Sequence, residues 1–328
     1  MTTSIKSLYL FAYLLAATCF TGFRGGQALA KDPAPGTNEL DTQNTPQPED
    51  RAKALNEDFG APDPTAHLYA VGLGLGLSVC GSVTWKFYKS WTGKFRVIDE
   101  GWFGRGTYAG GADKLGHMYT DFVLGRGLYA IYRKHNYDKE KSILYAFIAG
   151  STARTMMEVA DGFTTYELSW GDLAFNMLGS STNALLLRDD KLARTFYMSW
   201  SYTPSLEAQR GYHDIADFST DYSGMVFGFN ADIYELRRLD GSASESNWDN
   251  TFVGLNYFTR NFRQPDSSKR ERFVGASIGI TMERLLPEGY DWAKPALHFV
   301  KLPFTYTGIA YSLDKGTIEA KWGLNYLY

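Results

Sequence analysis

The spacing of apolar residues changes character between Arg188 and Arg194, and this change constrains the fold more than any single motif. Between Ala66 and Leu187 the apolar residues come in long blocks suited to helices. After Arg194 they alternate: Phe196, Met198, Trp200 and Tyr202, then Met225, Phe227 and Phe229, then Val274, Ala276, Ile278 and Ile280. A period of two places every second side chain on one face of a strand, whereas blocks of this length suit helices. The expected fold class is therefore α+β. An N-terminal helical bundle of about four helices, within residues 61–190, precedes an antiparallel β-sheet or small barrel-like β region over 191–328.

The expected helices run from His67 to Trp85, Asp113 to about Arg133, Lys139 to Ala160 and Asp172 to Leu187. The first carries no formal charge apart from an optional one on His67, and Gly72/Gly76 and Ser78/Ser82 form a small-residue face that permits close helix contact. It reads equally as a membrane-facing helix or as the central helix of a bundle. The other three carry Asp121, Arg126, Arg133, Arg154 and Glu158, which unaided membrane spans tolerate poorly. A compact bundle, resting on a membrane or free of it, accommodates them.

Six strands are expected, at Thr195–Thr203, Tyr222–Tyr234, Thr251–Asn261, Arg272–Glu283, Leu297–Leu313 and Thr317–Tyr328, separated by turn-forming spacers such as Asp240-Gly241-Ser242. The last presents Trp322, Leu324, Tyr326 and Tyr328 on one face and ends the chain on an aromatic. Such endings resemble the closing strand of outer-membrane barrels, yet six strands fall short of the usual minimum of about eight. The alternative is a sheet packed against the bundle.

The first residues give an address. Lys6, the apolar run Leu8–Phe20 and Ala28-Leu29-Ala30 have the form of a cleavable signal peptide spanning residues 1–30, cut after Ala30. Lipidation at Cys19 is the second export mode, with Thr18 a poor residue before it. Cleavage removes Lys6 and Arg24 from 33 basic residues and none of the 36 acids, so the mature chain is net acidic and nucleic acid is not expected as a partner. Of the two cysteines only Cys80 survives, which excludes an intramolecular disulfide. Residues 31–60 hold Pro33, Pro35, Pro46 and Pro48, seven acids and one aromatic, Phe59; this acidic, Pro-rich linker is expected to stay disordered.

Chemistry-bearing residues concentrate in the helical half. Asp113, His117 and Asp121 recur every four residues and share a helix face. Glu158 and Asp161 share another; Asp172 and Asn176, with Asn183 beyond, share a third. A histidine among carboxylates can be oriented, kept basic or used as a metal ligand. Each piece also has a structural reading. Ser169 and Asp172 suit a capping box, Gly162 a helix stop, and Arg154 with Glu158 a surface pair. Mutual pairing of the three rows avoids leaving isolated charges at apolar interfaces.

Asp-Lys-x-x-His at 113–117, Glu-x-x-Asp at 158–161 and Ser-Trp-x-Asp-x-x-x-Asn-x-x-Gly at 169–179 occur in that order. The set resembles the YfiM-like family of predicted periplasmic lipoproteins and, more distantly, the VanZ-like membrane proteins, over about residues 105–187. The resemblance implies export, envelope association and a small helical domain, with no established activity. The chain departs from it in Met157, where the family often carries a basic residue, in its weak lipidation signal, and in a β-rich extension of about 135 residues.

Two functions follow as expectations. The first is an exported envelope protein, periplasmic and associated with the outer membrane. Its polar cluster serves a structural or ligand-binding role, and its aromatic β half meets membrane lipid or an envelope protein. The second is a metal-assisted hydrolase or transferase acting on a lipid-linked or phosphate-bearing substrate. There Asp113, Lys114, His117, Glu158, Asp161, Asp172 and Asn176 are the candidate catalytic residues, and Lys114 takes the anion. A divalent metal would draw on His117, Asp113, Glu158 and Asp172. No His-Glu-x-x-His, nucleophile elbow or glycine-rich phosphate loop accompanies them.

Overall fold

The computed structural model describes residues 60–84, 87–214, 217–239, 246–291 and 293–322. The expected signal peptide, most of the linker, and Leu324, Tyr326 and Tyr328 lie outside them. Four long helices come first: α1 (Thr65–Thr84), α2 (Ala112–Lys134), α3 (Lys139–Asp161) and α4 (Trp170–Leu187). A two-residue parallel pairing of β1 (Val97–Ile98) with β2 (Leu168–Ser169) ties the loop before α2 to the loop before α4. The chain then enters a six-stranded antiparallel sheet in sequence order: β3 (Phe196–Tyr202), β4 (Met225–Asp232), β5 (Thr251–Arg260), β6 (Glu271–Ile280), β7 (Tyr306–Ser312) and β8 (Ile318–Trp322). The fold is α+β, and β3 and β8 do not pair, so the sheet is not closed.

Helix α1 lies on the outside of the bundle rather than at its centre. Ala66 and Ala70 are buried with Leu124, Leu128 and Tyr132 in one core cluster, while Leu68, Val71, Leu75 and Val79 face outward and exposed. His67 pins its start through Tyr132 Oη and Tyr137 Oη, each at 3.1 Å. Among the described residues no helix is long and apolar enough to cross a membrane.

Three expected strands are shorter than the alternation suggested; β6 stops at Ile280, before the 3-10 turn Met282–Arg284. Asp232 ends β4 because its carboxylate accepts from Glu235 N (3.0 Å) and caps a short helix, Ile233–Arg238. The expected strand Leu297–Leu313 begins as a helix, Lys294–Phe299, with Pro295 in its first turn, where proline is tolerated. Pro303 then opens a 3-10 turn, and only from Tyr306 does the chain join the sheet. At the bend Val300 meets Trp200 and Lys301 N donates to Trp200 O (2.8 Å), which covers the free edge of β3 at one point.

The register sorts the sheet into two unlike faces. One face carries Met198, Phe229, Leu255, Ala276 and Ile309 in one cross-strand row, and Trp200, Phe227, Tyr257, Val274, Tyr311 and Ile318 in another. The other carries Ser199, Gly228, Asn256 and Gly275, and Tyr197, Asn230, Gly254 and Ser277. These rows of the second face are polar and glycine-rich, yet mostly buried. A Cβ at Gly254 would collide with the Asn230 amide, so this close approach requires glycine there. The same face has its own apolar cluster, Val226, Phe252, Phe258, Phe273, Tyr306 and Ala310, with Phe258 stacked on Phe273 at 4.7 Å.

Helix α2 covers the outward face only over β3 to β5. Phe122 packs with Met198 and Phe299, and Ala112 with Met225 and Phe227; Tyr119 joins both clusters and Tyr257 the second. Farther round, no helix among the described residues intervenes. Leu255 is 69% exposed, Ile309 57% and Ile318 72%, with Val274 and Tyr311 beside them.

Candidate functional site

The three polar rows converge between α2, α3 and α4. Asp113 and Lys114 open α2, which starts at Gly111 in the left-handed region (φ 89°). Lys114 is 1% exposed and its ammonium donates to Asp172 Oδ1 (2.7 Å), Glu100 Oε2 (2.6 Å) and Asp113 Oδ2 (2.9 Å). One turn on, His117 Nδ1 lies 3.0 Å from Asn176 Oδ1 and 3.3 Å from Glu158 Oε1, and Nε2 lies 3.6 Å from Asp172 Oδ1. Asn176 Nδ2 donates to Glu158 Oε1 (3.0 Å). His117, Glu158 and Asp172 thus belong to one network.

Behind it Arg154 Nε donates to Asp121 Oδ2 (3.0 Å), whose other oxygen accepts from Ser180 Oγ (3.3 Å). Arg154 is therefore not the surface partner of Glu158 that its spacing suggested; it points across to α2 because Asp121, fully buried there, needs a cation. Its Nη1 also meets the sulfur of Met157. The Ser169–Asp172 pair forms half a capping box: Ser169 Oγ accepts from Asp172 N (3.3 Å), while the Asp172 carboxylate turns to Lys114. Gly162 does end α3, but with φ −53°; Phe95 packs where its side chain would be.

The electrostatics follow from burial and charge. Burial works against the His117 imidazolium, but Asp172 and Glu158 outweigh it and raise its pKa to about 9. Burial likewise opposes the Lys114 ammonium, and Asp113 and Asp172 overcome it, so Lys114 stays charged. Asp172 is held below the ordinary carboxylate value, because His117 and Lys114 prevail over burial. Asp161 differs. It is half-buried, has no side-chain hydrogen bond among the described residues, and burial together with repulsion from Glu158 pushes it up to about 7. Six carboxyl groups, of Glu100, Asp113, Asp121, Glu158, Asp161 and Asp172, surround three cationic side chains, of Lys114, His117 and Arg154.

This arrangement bears on the anion-binding role expected of Lys114: three carboxylates surround its ammonium, and an incoming anion would face their charge. The site suits a cationic or hydrogen-bond-donating group. Among the described residues, the carboxylates that converge with the spacing of metal ligands are Glu100, Asp113 and Asp172, and Lys114 Nζ holds the place between them. His117 and Glu158 lie outside that triad. Glu100 escaped the sequence reading because it stands in a loop 14 positions before Lys114, with no periodicity to mark it.

The ordered motif around Ser169 now has a physical account. Ser169 caps the helix, Asp172 meets Lys114 and His117, and Asn176 meets His117 and Glu158. Gly179 lets α4 touch the α2 backbone, since a Cβ there would overlap the Met118 carbonyl. Asn183 is buried one turn further on, its amide beside Gly125.

Residues 99–188, which hold this network, match a family of predicted periplasmic lipoproteins, DUF2279. The match supports a periplasmic lipoprotein family for the helical stretch and carries no activity with it. No curated protein and no solved structure matches the chain.

Proposed function

We propose that the chain is an exported envelope protein of the periplasm, held on the outer membrane through its β half, with the Lys114–His117 network as a structural or ligand-binding core. One observation carries the membrane reading: the sheet's outward face keeps apolar rows exposed, Leu255, Ile309 and Ile318 among them, while polar Asn230, Asn256 and Ser277 lie on the buried face beside its apolar cluster. An uncovered row such as Leu255–Ile309 with Ile318 beyond is unstable in water and stable against acyl chains. The family match supports the periplasmic part. Fractionation tests the reading. Mature protein is expected in the outer-membrane fraction, resistant to a salt wash and released by detergent; recovery wholly in the soluble periplasmic fraction would overturn it.

The metal-assisted hydrolase or transferase has one observation in its favour. Asp161 combines a carboxyl with no side-chain hydrogen bond among the described residues, a pKa raised to about 7 and a charge interaction with His117, features that suit a general acid or base. Metal analysis of the purified protein decides between the two. Stoichiometric metal that disappears in His117→Ala would favour the enzyme.

A further inference from the structure

Between α1 and the network, the stretch Lys86–Val97 reads Lys-Phe-Tyr-Lys-Ser-Trp-Thr-Gly-Lys-Phe-Arg-Val, with four cations, four aromatics and no acid in a chain whose net charge is −3. Its described side chains are displayed outward. Trp91 is 58% exposed and Phe95 48%, and Lys89, Lys94, Arg96 and Val97 are exposed around them. The display is fixed from beneath. Thr92 N donates to Phe163 O (2.8 Å), Arg96 N to Gly162 O (2.7 Å), Thr165 N to Ser90 O (2.9 Å) and Leu168 N to Arg96 O (3.0 Å). Trp91 stacks on Phe163, and Phe95 meets the same ring edge-on. With its backbone tied at both ends to the single stretch Gly162–Leu168, the loop holds its rings at the surface.

We propose that the loop 89–97 is a lip that seats on an anionic phospholipid surface. This rests on the envelope reading above and adds a contact on the helical half. Charge complementarity selects the occupant: aromatic rings settle at the headgroup level of a bilayer, and cations beside them meet lipid phosphates. Arg96 is already paired with Glu167 (3.0 Å), so Lys94 at the loop tip is the cation the test addresses. The apolar side of the contact continues into α1, whose exposed Leu75 and Val79 precede the lip. The lip is also joined to the network. The chain it grips, Gly162–Ser169, follows Asp161 and ends on the residue that caps α4, so a lipid headgroup at the lip stands next to the polar cluster.

Flotation of the full-length mature chain with vesicles of phosphatidylcholine, alone or mixed with phosphatidylglycerol, tests the assignment. Phosphatidylglycerol is expected to strengthen binding, and Lys94→Glu to weaken it about tenfold on the mixed vesicles while leaving the neutral ones unaffected. Lys94→Gln should fall between, with thermal unfolding unchanged in both lysine variants, and Trp91→Ser should weaken binding to both vesicles. Equal binding of the parent chain to both vesicles, or no response to Lys94→Glu, would overturn the lip. So would a self-associating chain that Trp91→Ser turns monomeric, since a second copy would then be the occupant. The β-half reading fails separately. Leu255→Ser with Ile309→Ser should weaken binding to neutral vesicles while keeping the preference for phosphatidylglycerol, and unchanged binding would remove the sheet contact alone.

Discussion

His117 is an imidazolium in the folded protein up to about pH 9, whereas an unfolded histidine titrates near 6.5. A group whose folded pKa is raised contributes its stability fully below the unfolded value and loses it as pH rises through the folded one. The bundle is therefore expected to weaken between about pH 6.5 and 9, by an amount on the order of 2–3 kcal/mol from this residue. Asp161 adds a loss of the same sign at lower pH. Its carboxyl, raised to about 7, makes ionisation costly in the folded state between roughly pH 4 and 7. Urea unfolding monitored across that range checks the first claim: His117→Gln should be less stable at pH 6.5 and should flatten the decline toward pH 9. An unchanged slope would mean that the imidazole is not held charged by Asp172 and Glu158.

At the scale of elements, the contact of α2 with α4 depends on Gly179 lying against the Met118 carbonyl. Gly179→Val must push the helices apart, separating Asn176 from His117 and Asp172 from Lys114. Overpacking of this kind costs about 1–3 kcal/mol before the broken polar contacts are counted. Thermal unfolding should show a clear drop, larger than for Gly76→Val, since nothing stands within 4 Å of a Cβ at Gly76.

The same elements show what was legible beforehand. Periodicity located α2, α3, α4 and all six sheet strands, because block and alternating patterns leave direct marks. It over-extended the strands at Asp232 and before Tyr306, where a capping side chain and prolines overrode the alternation. Polar spacing along the helices foretold that His117, Glu158 and Asp172 would meet. It could not reveal Glu100, whose partnership with Lys114 is made by a loop, nor that Arg154 would choose Asp121 over the nearer Glu158. Choices between partners on different helices depend on packing angles that no one-dimensional pattern records.

For the whole molecule, the helical and β halves share apolar clusters. Phe122 and Ala112 of α2 are fully buried against residues of the sheet. A chain truncated after Arg194 would present Phe122, Ala112 and Tyr119 to water, and the expected outcome is aggregation on expression. A soluble, cooperatively unfolding fragment would show instead that the two halves are independent domains. The uncovered outward rows of the sheet, from Leu255 to Ile318, carry a consequence for biogenesis under the proposed membrane seat. On that reading a chain that has folded its strands before reaching lipid would expose these rows to water, would be prone to self-association, and would call for an escort through the aqueous space.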